Sequence, residues 1–203
     1  MLRLARRALP LAVLFVLVGQ GAAFAASVSI VDFAFQPSST SLGLGGSVTW
    51  TNNGSVTHTT TDNGVDSTSG PTLWNSGNLS PGATFSFAFK GAGKFAYHCH
   101  IHQSMTGTVT VPPKAQPRTG TTTTVFTITW AVTSVPSGFN EDIQIMRPTS
   151  TSWVAWKSNK TGTSISATFT PDAGTGTYLF RARLQNSTTN GASAYSRMSI
   201  SVS

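Results

Sequence analysis

Apolar and polar side chains alternate with a period of two through most of the chain beyond residue 25, with β-branched and aromatic residues set between clusters of Gly, Pro, Asn and Ser. Such a pattern predicts strands half-buried on one face, and no stretch offers the three-to-four spacing of an amphipathic helix. In the first half, strands are expected at 27–35, 47–52, 58–61, 83–89, 93–98 and 106–111. Their turns hold Gly45-Gly46, Asn53-Gly54, Pro81-Gly82 and the glycines between 91 and 93, where backbone freedom or a preset φ helps the chain reverse. The second half repeats the pattern at 123–132, 142–147, 153–157, 164–170, 176–185 and 196–202. There Phe126, Ile128 and Trp130, then Tyr178, Phe180, Ala182 and Leu184, fall on apolar faces, while Arg181 and Arg183 point the other way.

The fold class is therefore all-β, with two sandwiches expected. Residues 112–120 carry three prolines and two cations, which disfavour helix and central strand and read as a Pro-rich linker. The expected organisation is a signal peptide at 1–25, a first domain at 26–111, the linker at 112–120 and a second domain at 121–203. Each domain is long enough to bury its own core.

The leader reading rests on Arg3, Arg6 and Arg7, an apolar run from Leu9 to Val18, and Ala23-Phe24-Ala25 as a cleavage site. The apolar run is shorter than the roughly 20 residues of a membrane-spanning helix, so no membrane span is expected after cleavage. Export to the periplasm, the cell surface or the medium follows, by the general or the twin-arginine route. Removing the leader leaves ten basic residues against 6 acidic ones, a net charge of +4 rather than +7. These cations are scattered, without a basic stripe, and nucleic acid is not an expected partner.

An exported chain with one cysteine cannot form an internal disulfide, and metal ligation would account for such a thiol. Cys99 lies in Tyr97-His98-Cys99-His100-Ile101-His102-Gln103-Ser104-Met105. Tyr97 and Cys99 share one face of a strand, and His98 and His100 the other. A tight loop after Cys99 would bring its thiolate to His102 and Met105, with Gly107 relieving crowding on the return strand. Two imidazoles and a thiolate in a plane, with a weak axial thioether, are the ligand set of a blue-copper electron-transfer centre. His58 is the histidine outside this segment that can complete it. The expected metal ligands are thus His58, Cys99, His102 and Met105, holding one copper that cycles between Cu(I) and Cu(II).

The first half resembles the small blue-copper cupredoxins, in particular the plastocyanin and amicyanin group. The resemblance rests on Gly46-Ser-Val-Thr-Trp50 running on to His58, on Leu79-Ser-Pro-Gly82, and on Tyr97-His-Cys99 through Met105-Thr-Gly107. It implies a cupredoxin Greek-key sandwich, redox protein partners, and an exposed His102 edge as the electron entry or exit face. The spacing of two residues between each pair of loop ligands is similar to the short amicyanin loop. Those families commonly place Asn after the first histidine, where this chain has Thr59; its N–H can still reach the sulfur, while the side-chain tie is either weaker or replaced by the hydroxyl, a choice that bears on the rigidity and potential of the site. The oxidase use of a His-Cys-His segment needs several further histidine pairs, and this chain has 4 histidines. His98 and His100 are expected to flank the site.

The second half resembles, more loosely, a fibronectin type III or immunoglobulin-like sandwich, through Ile128-Thr-Trp130, Tyr178 to Arg183 and Ala194-Tyr-Ser-Arg197. It would act as a spacer or stabilising partner, or make cell-wall or protein contacts; for Trp153 and Trp156, burial of at least one is expected ahead of an exposed aromatic patch. The overall expectation is a carrier of single electrons and no enzyme. The alternatives are copper storage, delivery or sensing outside the cytoplasm, or an adhesion protein using the fold as a scaffold.

Overall fold

The computed structural model describes residues 25–63 and 72–203; the leader expected at 1–25 lies outside them except for Ala25. The first half builds β1 (Ala25–Val31), β2 (Ala34–Gln36), β3 (Ser39–Ser41), β4 (Ser47–Asn52), β5 (Thr61–Asp62), β6 (Thr84–Ala88), β7 (Gly93–His98) and β8 (Thr106–Val111). They form two four-stranded sheets, β2-β1-β4-β6 and β3-β8-β7-β5. Alternation decides which side chains meet between the sheets. On β4 Val48, Trp50 and Asn52 are buried, and on β7 Phe95 and Tyr97. Trp50 stacks on Trp74 at 5.9 Å and meets Tyr97 edge-on at 5.5 Å between ring centroids. Each such aromatic pair adds about 0.5–1.5 kcal/mol to the burial of its area. Gly107 on β8 faces the Tyr97 ring so closely that a Cβ would collide with its Cζ and hydroxyl. The absent side chain thus gives the Tyr97 ring of β7 its place over β8, just before Cys99.

The second half continues with β9 (Lys114–Gln116), β10 (Thr119–Gly120), β11 (Phe126–Thr129), β12 (Phe139–Met146), β13 (Val154–Lys160), β14 (Ser166–Phe169), β15 (Gly176–Asn186) and β16 (Ser196–Val202). A five-stranded sheet, β10-β16-β15-β12-β13, faces a three-stranded one, β14-β11-β9. Phe169 of β14 meets Tyr178 and Phe180 of β15 edge-on at 5.3 and 5.2 Å. Trp156 packs against Phe180 at 5.2 Å as part of this core, while Trp153 lies outside it with the Arg181 guanidinium 4.4 Å over its ring. The two tryptophans therefore do not form one exposed patch. The Tyr178 hydroxyl donates to Gly174 O at 2.9 Å and accepts from Ala173 N–H at 2.8 Å, pinning the turn that enters β15.

Several elements differ from expectation. The run at 27–35 is two strands, because Phe33 takes φ 67° and the chain reverses so that Val31 pairs with Ala34. At 58–61, His58 makes a single bridge to Leu79, and β5 begins only at Thr61. The 112–120 segment is extended but is no free spacer. Its β9 pairs antiparallel with β11, and its β10 pairs parallel with β16. Both are edge strands, and Pro113 and Pro117 flank β9 rather than lie in it, so neither removes a ladder hydrogen bond.

The two halves are joined by backbone hydrogen bonds. Ala92 N–H donates to Trp130 O and Val132 N–H to Lys90 O, both at 2.8 Å, while Lys94 and Ala194 exchange a pair at 2.8 and 3.1 Å. Beneath this seam lies Glu141, fully buried, neither of its carboxylate oxygens having a hydrogen-bond partner among the described residues. A Cβ on Gly91 would come within 2.5 Å of its Oε1. Burial is the main cause that pushes its pKa well above 4.5; the nearby Ala92 N–H offsets this only in part, and Asp142 adds repulsion. A raised folded-state pKa contributes stability that is present below the unfolded value and is lost as pH rises toward the folded one. Glu141→Gln is accordingly expected to raise Tm more at pH 7 than at pH 4, by several degrees, on the scale of about 2–4 °C per kcal/mol. Thermal melts of both proteins at the two pH values check this.

Candidate metal centre

Three segments of the first half converge at one end of the sandwich: the turn between β1 and β2, the stretch after β4 that carries His58, and the loop between β7 and β8. Cys99 follows the last residue of β7, where alternation turns it inward with Tyr97, and both are buried. The chain then closes on itself. Cys99 N–H donates to Met105 O at 3.0 Å, and Met105 N–H donates to His102 O at 2.9 Å. This short ring folds His102 back toward the sulfur and leaves Met105 buried, with 1% of its surface exposed.

His58 reaches the same point from the opposite side, held by mutual backbone hydrogen bonds with Leu79 at 3.1 and 2.8 Å. The donor atoms form a compact triangle. Cys99 Sγ lies 3.8 Å from His58 Nδ1 and 3.7 Å from His102 Nδ1, and the two Nδ1 atoms are 3.1 Å apart. First-row metal bonds of about 2.0–2.3 Å to nitrogen and sulfur require donors this close. Among the described residues, His58, Cys99 and His102 are the group of histidine, cysteine and carboxylate side chains arranged to hold a metal ion.

The sulfur has further partners. Thr59 N–H points at Sγ from 3.3 Å, and the Thr59 hydroxyl lies 3.9 Å away. The same hydroxyl accepts the His100 N–H at 2.7 Å, so it ties the His58 segment to the cysteine loop. His98 and His100 lie outside the triangle, their rings 6.3 Å apart.

Two residues of the site escaped sequence reasoning, both in the β1–β2 turn. Asp32 Oδ1 lies 3.4 Å from His58 Nε2, on the side of the ring away from the triangle. The carboxylate takes the Ser55 hydroxyl at 2.7 Å and Ser55 N–H at 2.9 Å. The Ser55 hydroxyl and N–H lead the causes that hold its pKa down to about 2, so it is an anion at neutral pH. Phe33, 63% exposed, sets its ring edge-on to His102 at 5.0 Å between centroids.

Comparison with known families bears on the same residues. Residues 22–112 match the copper binding proteins of the plastocyanin/azurin family. This half is a cupredoxin domain. Among solved structures, the chain is similar to a novel purple cupredoxin from Nitrosopumilus maritimus, at 29% identity over 42% of this chain and 98% of that one, with a TM-score of 0.37. It is also similar to the reduced Cu(I) form of a point mutant of amicyanin, at 26% identity over 45% of this chain and 86% of that one, with a TM-score of 0.39. A Cu-containing nitrite reductase from Thermus scotoductus SA-01 is 21% identical over 43% of this chain and 22% of its own length, with a TM-score of 0.39. No curated protein matches the chain.

The cofactor of the cupredoxin domain is copper, and the chemistry open to it is of the electron-transfer type. Two imidazoles and one thiolate suit copper in both oxidation states: the soft sulfur favours Cu(I), and the nitrogens accept Cu(II). The tie through Thr59 is open to direct measurement. Thr59→Val keeps the shape of the side chain but leaves the His100 N–H without its acceptor, and is expected to cost about 1 kcal/mol, or roughly 2–4 °C of Tm. Thermal denaturation of the apoprotein measures it.

Proposed function

We propose that the chain is an exported type 1 blue-copper protein that binds one copper through His58, Cys99, His102 and Met105 and carries single electrons between redox partner proteins. The observation that carries the reading is the triangle of Cys99 Sγ and two Nδ1 atoms, with no donor pair more than 3.8 Å apart. His58 and Cys99 are fully buried. Buried ligands held by backbone hydrogen bonds, His58 to Leu79 and Cys99 to Met105, stay in place when the metal changes charge, so little reorganisation opposes the electron. Met105, closing the loop from the buried side, is the proposed weak axial ligand. No step makes or breaks a bond in a substrate, and the protein acts as a carrier rather than an enzyme.

His102 is the proposed electron gate, since it alone of the three triangle residues is partly exposed. Phe33 lies against its ring, 63% exposed, and Ile101 next to it in sequence is 45% exposed. Large apolar side chains left in water beside a metal ligand favour brief docking with another apolar surface. The second half, with its Tyr178 corner and facing sheets, supports the reading of a fibronectin type III or immunoglobulin-like sandwich at 121–203. Through the seam at Lys94 and Ala194 it would stabilise the copper domain, and it offers a further face for wall or protein contact.

Two measurements test this reading. Copper-loaded protein should show an intense thiolate-to-copper band in the visible and narrow hyperfine splitting by EPR, both lost in Cys99→Ser. A tetragonal Cu(II) spectrum would refute a blue-copper site. Phe33→Asn, which tolerates the positive φ, should keep the band but slow electron self-exchange roughly tenfold, the effect of about 1.4 kcal/mol of lost docking energy. Unchanged exchange would remove Phe33 from the gate, and slow wild-type exchange with ready copper loss would favour storage or delivery.

A further inference from the structure

We propose that Asp32 is a positioning residue of the copper centre, its carboxylate taking the Nε2–H of His58 and biasing the metal toward Cu(II). The inference rests on the copper reading above. With Nδ1 of His58 turned into the donor triangle, a neutral imidazole must carry its proton on Nε2, the nitrogen that faces Asp32 Oδ1 at 3.4 Å. A carboxylate there fixes the tautomer and ring orientation and makes the ligating nitrogen more basic.

The carboxylate site is built independently of the histidine. Ser55 donates from its hydroxyl to Oδ2 at 2.7 Å and from its N–H to Oδ1 at 2.9 Å, and Val56 N–H approaches Oδ1 at 3.4 Å. Room for it depends on Gly54: a Cβ at that position would collide with Oδ1. The Gly54 N–H meanwhile donates to Asn52 Oδ1 at 3.0 Å, which fixes the turn that offers the space. Asn52 is itself buried and donates to Val56 O and Leu79 O at 2.9 and 2.8 Å, and Leu79 is the bridge partner of His58. One network thus sets both the backbone of the ligand and the anion behind its ring. Phe33 follows Asp32 directly, so consecutive residues of the turn serve the two histidines.

A fixed negative charge on the far side of a ligand imidazole stabilises the more positive state of the metal. Partners of this kind are worth about 10–100-fold in metal affinity. Asp32→Asn keeps an acceptor but removes the charge. It is expected to weaken Cu(II) binding about tenfold more than Cu(I) binding, which raises the reduction potential by about 59 mV for a one-electron couple. Asp32→Ala should in addition free the Nε2 proton of His58, seen by NMR of the Cu(I) protein as faster exchange. Gly54→Ala, which leaves the charge in the chain but pushes it off the ring, should shift the potential the same way.

The experiment is chelator competition for Cu(I) and Cu(II), with voltammetry, on the full mature chain and these variants. A wild-type blue band with unchanged affinity ratio and potential in Asp32→Asn and Gly54→Ala would overturn this inference and leave the copper reading standing. Absence of the blue band in the wild type would overturn both.

Discussion

Two imidazole nitrogens 3.1 Å apart, both within 3.8 Å of a cysteine sulfur, crowd lone pairs into one small volume, and a cation between them turns that repulsion into attraction. Little else in the first half makes sense without this convergence. The sandwich brings the end of β7 beside the His58 segment, the loop from Cys99 to Met105 closes by two backbone hydrogen bonds, and Thr59 spans the two segments through both its N–H and its hydroxyl. The donors are held by strands and turns rather than by long flexible side chains, so the protein, more than the metal, sets their separation.

The donor triangle of His58, Cys99 and His102 could be anticipated because it obeys local rules. Cys99 and His102 are three apart in a segment that has to turn, and the chain holds few other histidines to complete the set. The sequence marked residue 59 as the place of a tie, since it directly follows His58, but left open whether the tie was weakened or taken over by the hydroxyl; the bond from His100 N–H decides for the hydroxyl. Strands β4, β7 and β8 fall where the alternation placed them, because each lies inside a sheet and buries one face cleanly.

What was not legible depends on backbone choices that leave no mark on the alternation. Asp32 and Phe33 sit in a run that reads as one strand, and only the positive φ at Phe33 splits it and sends the two side chains to different histidines. An acidic residue in the middle of that run, with Gly54 in a later turn, was the available signal. It becomes meaningful only once the turn is known to meet residues 54–56. The Pro-rich segment misled in a different way: its prolines exclude a central strand but not an edge, and edges are what β9 and β10 supply. Glu141 falls on the same alternating buried face of β12 as Phe139, Ile143 and Ile145, but the strand expected from the sequence begins only at 142 and leaves it outside.

The short strand β5 has a consequence for how the halves depend on each other. It pairs with only Tyr97 and His98 at the metal end of β7, while further down the same edge Ala194 bonds to Lys94. The second half therefore works as a selvedge, finishing a fabric that would otherwise fray. Cut away, it would uncover strand groups able to recruit another chain, so the copper domain alone would be prone to self-association even with its metal site intact.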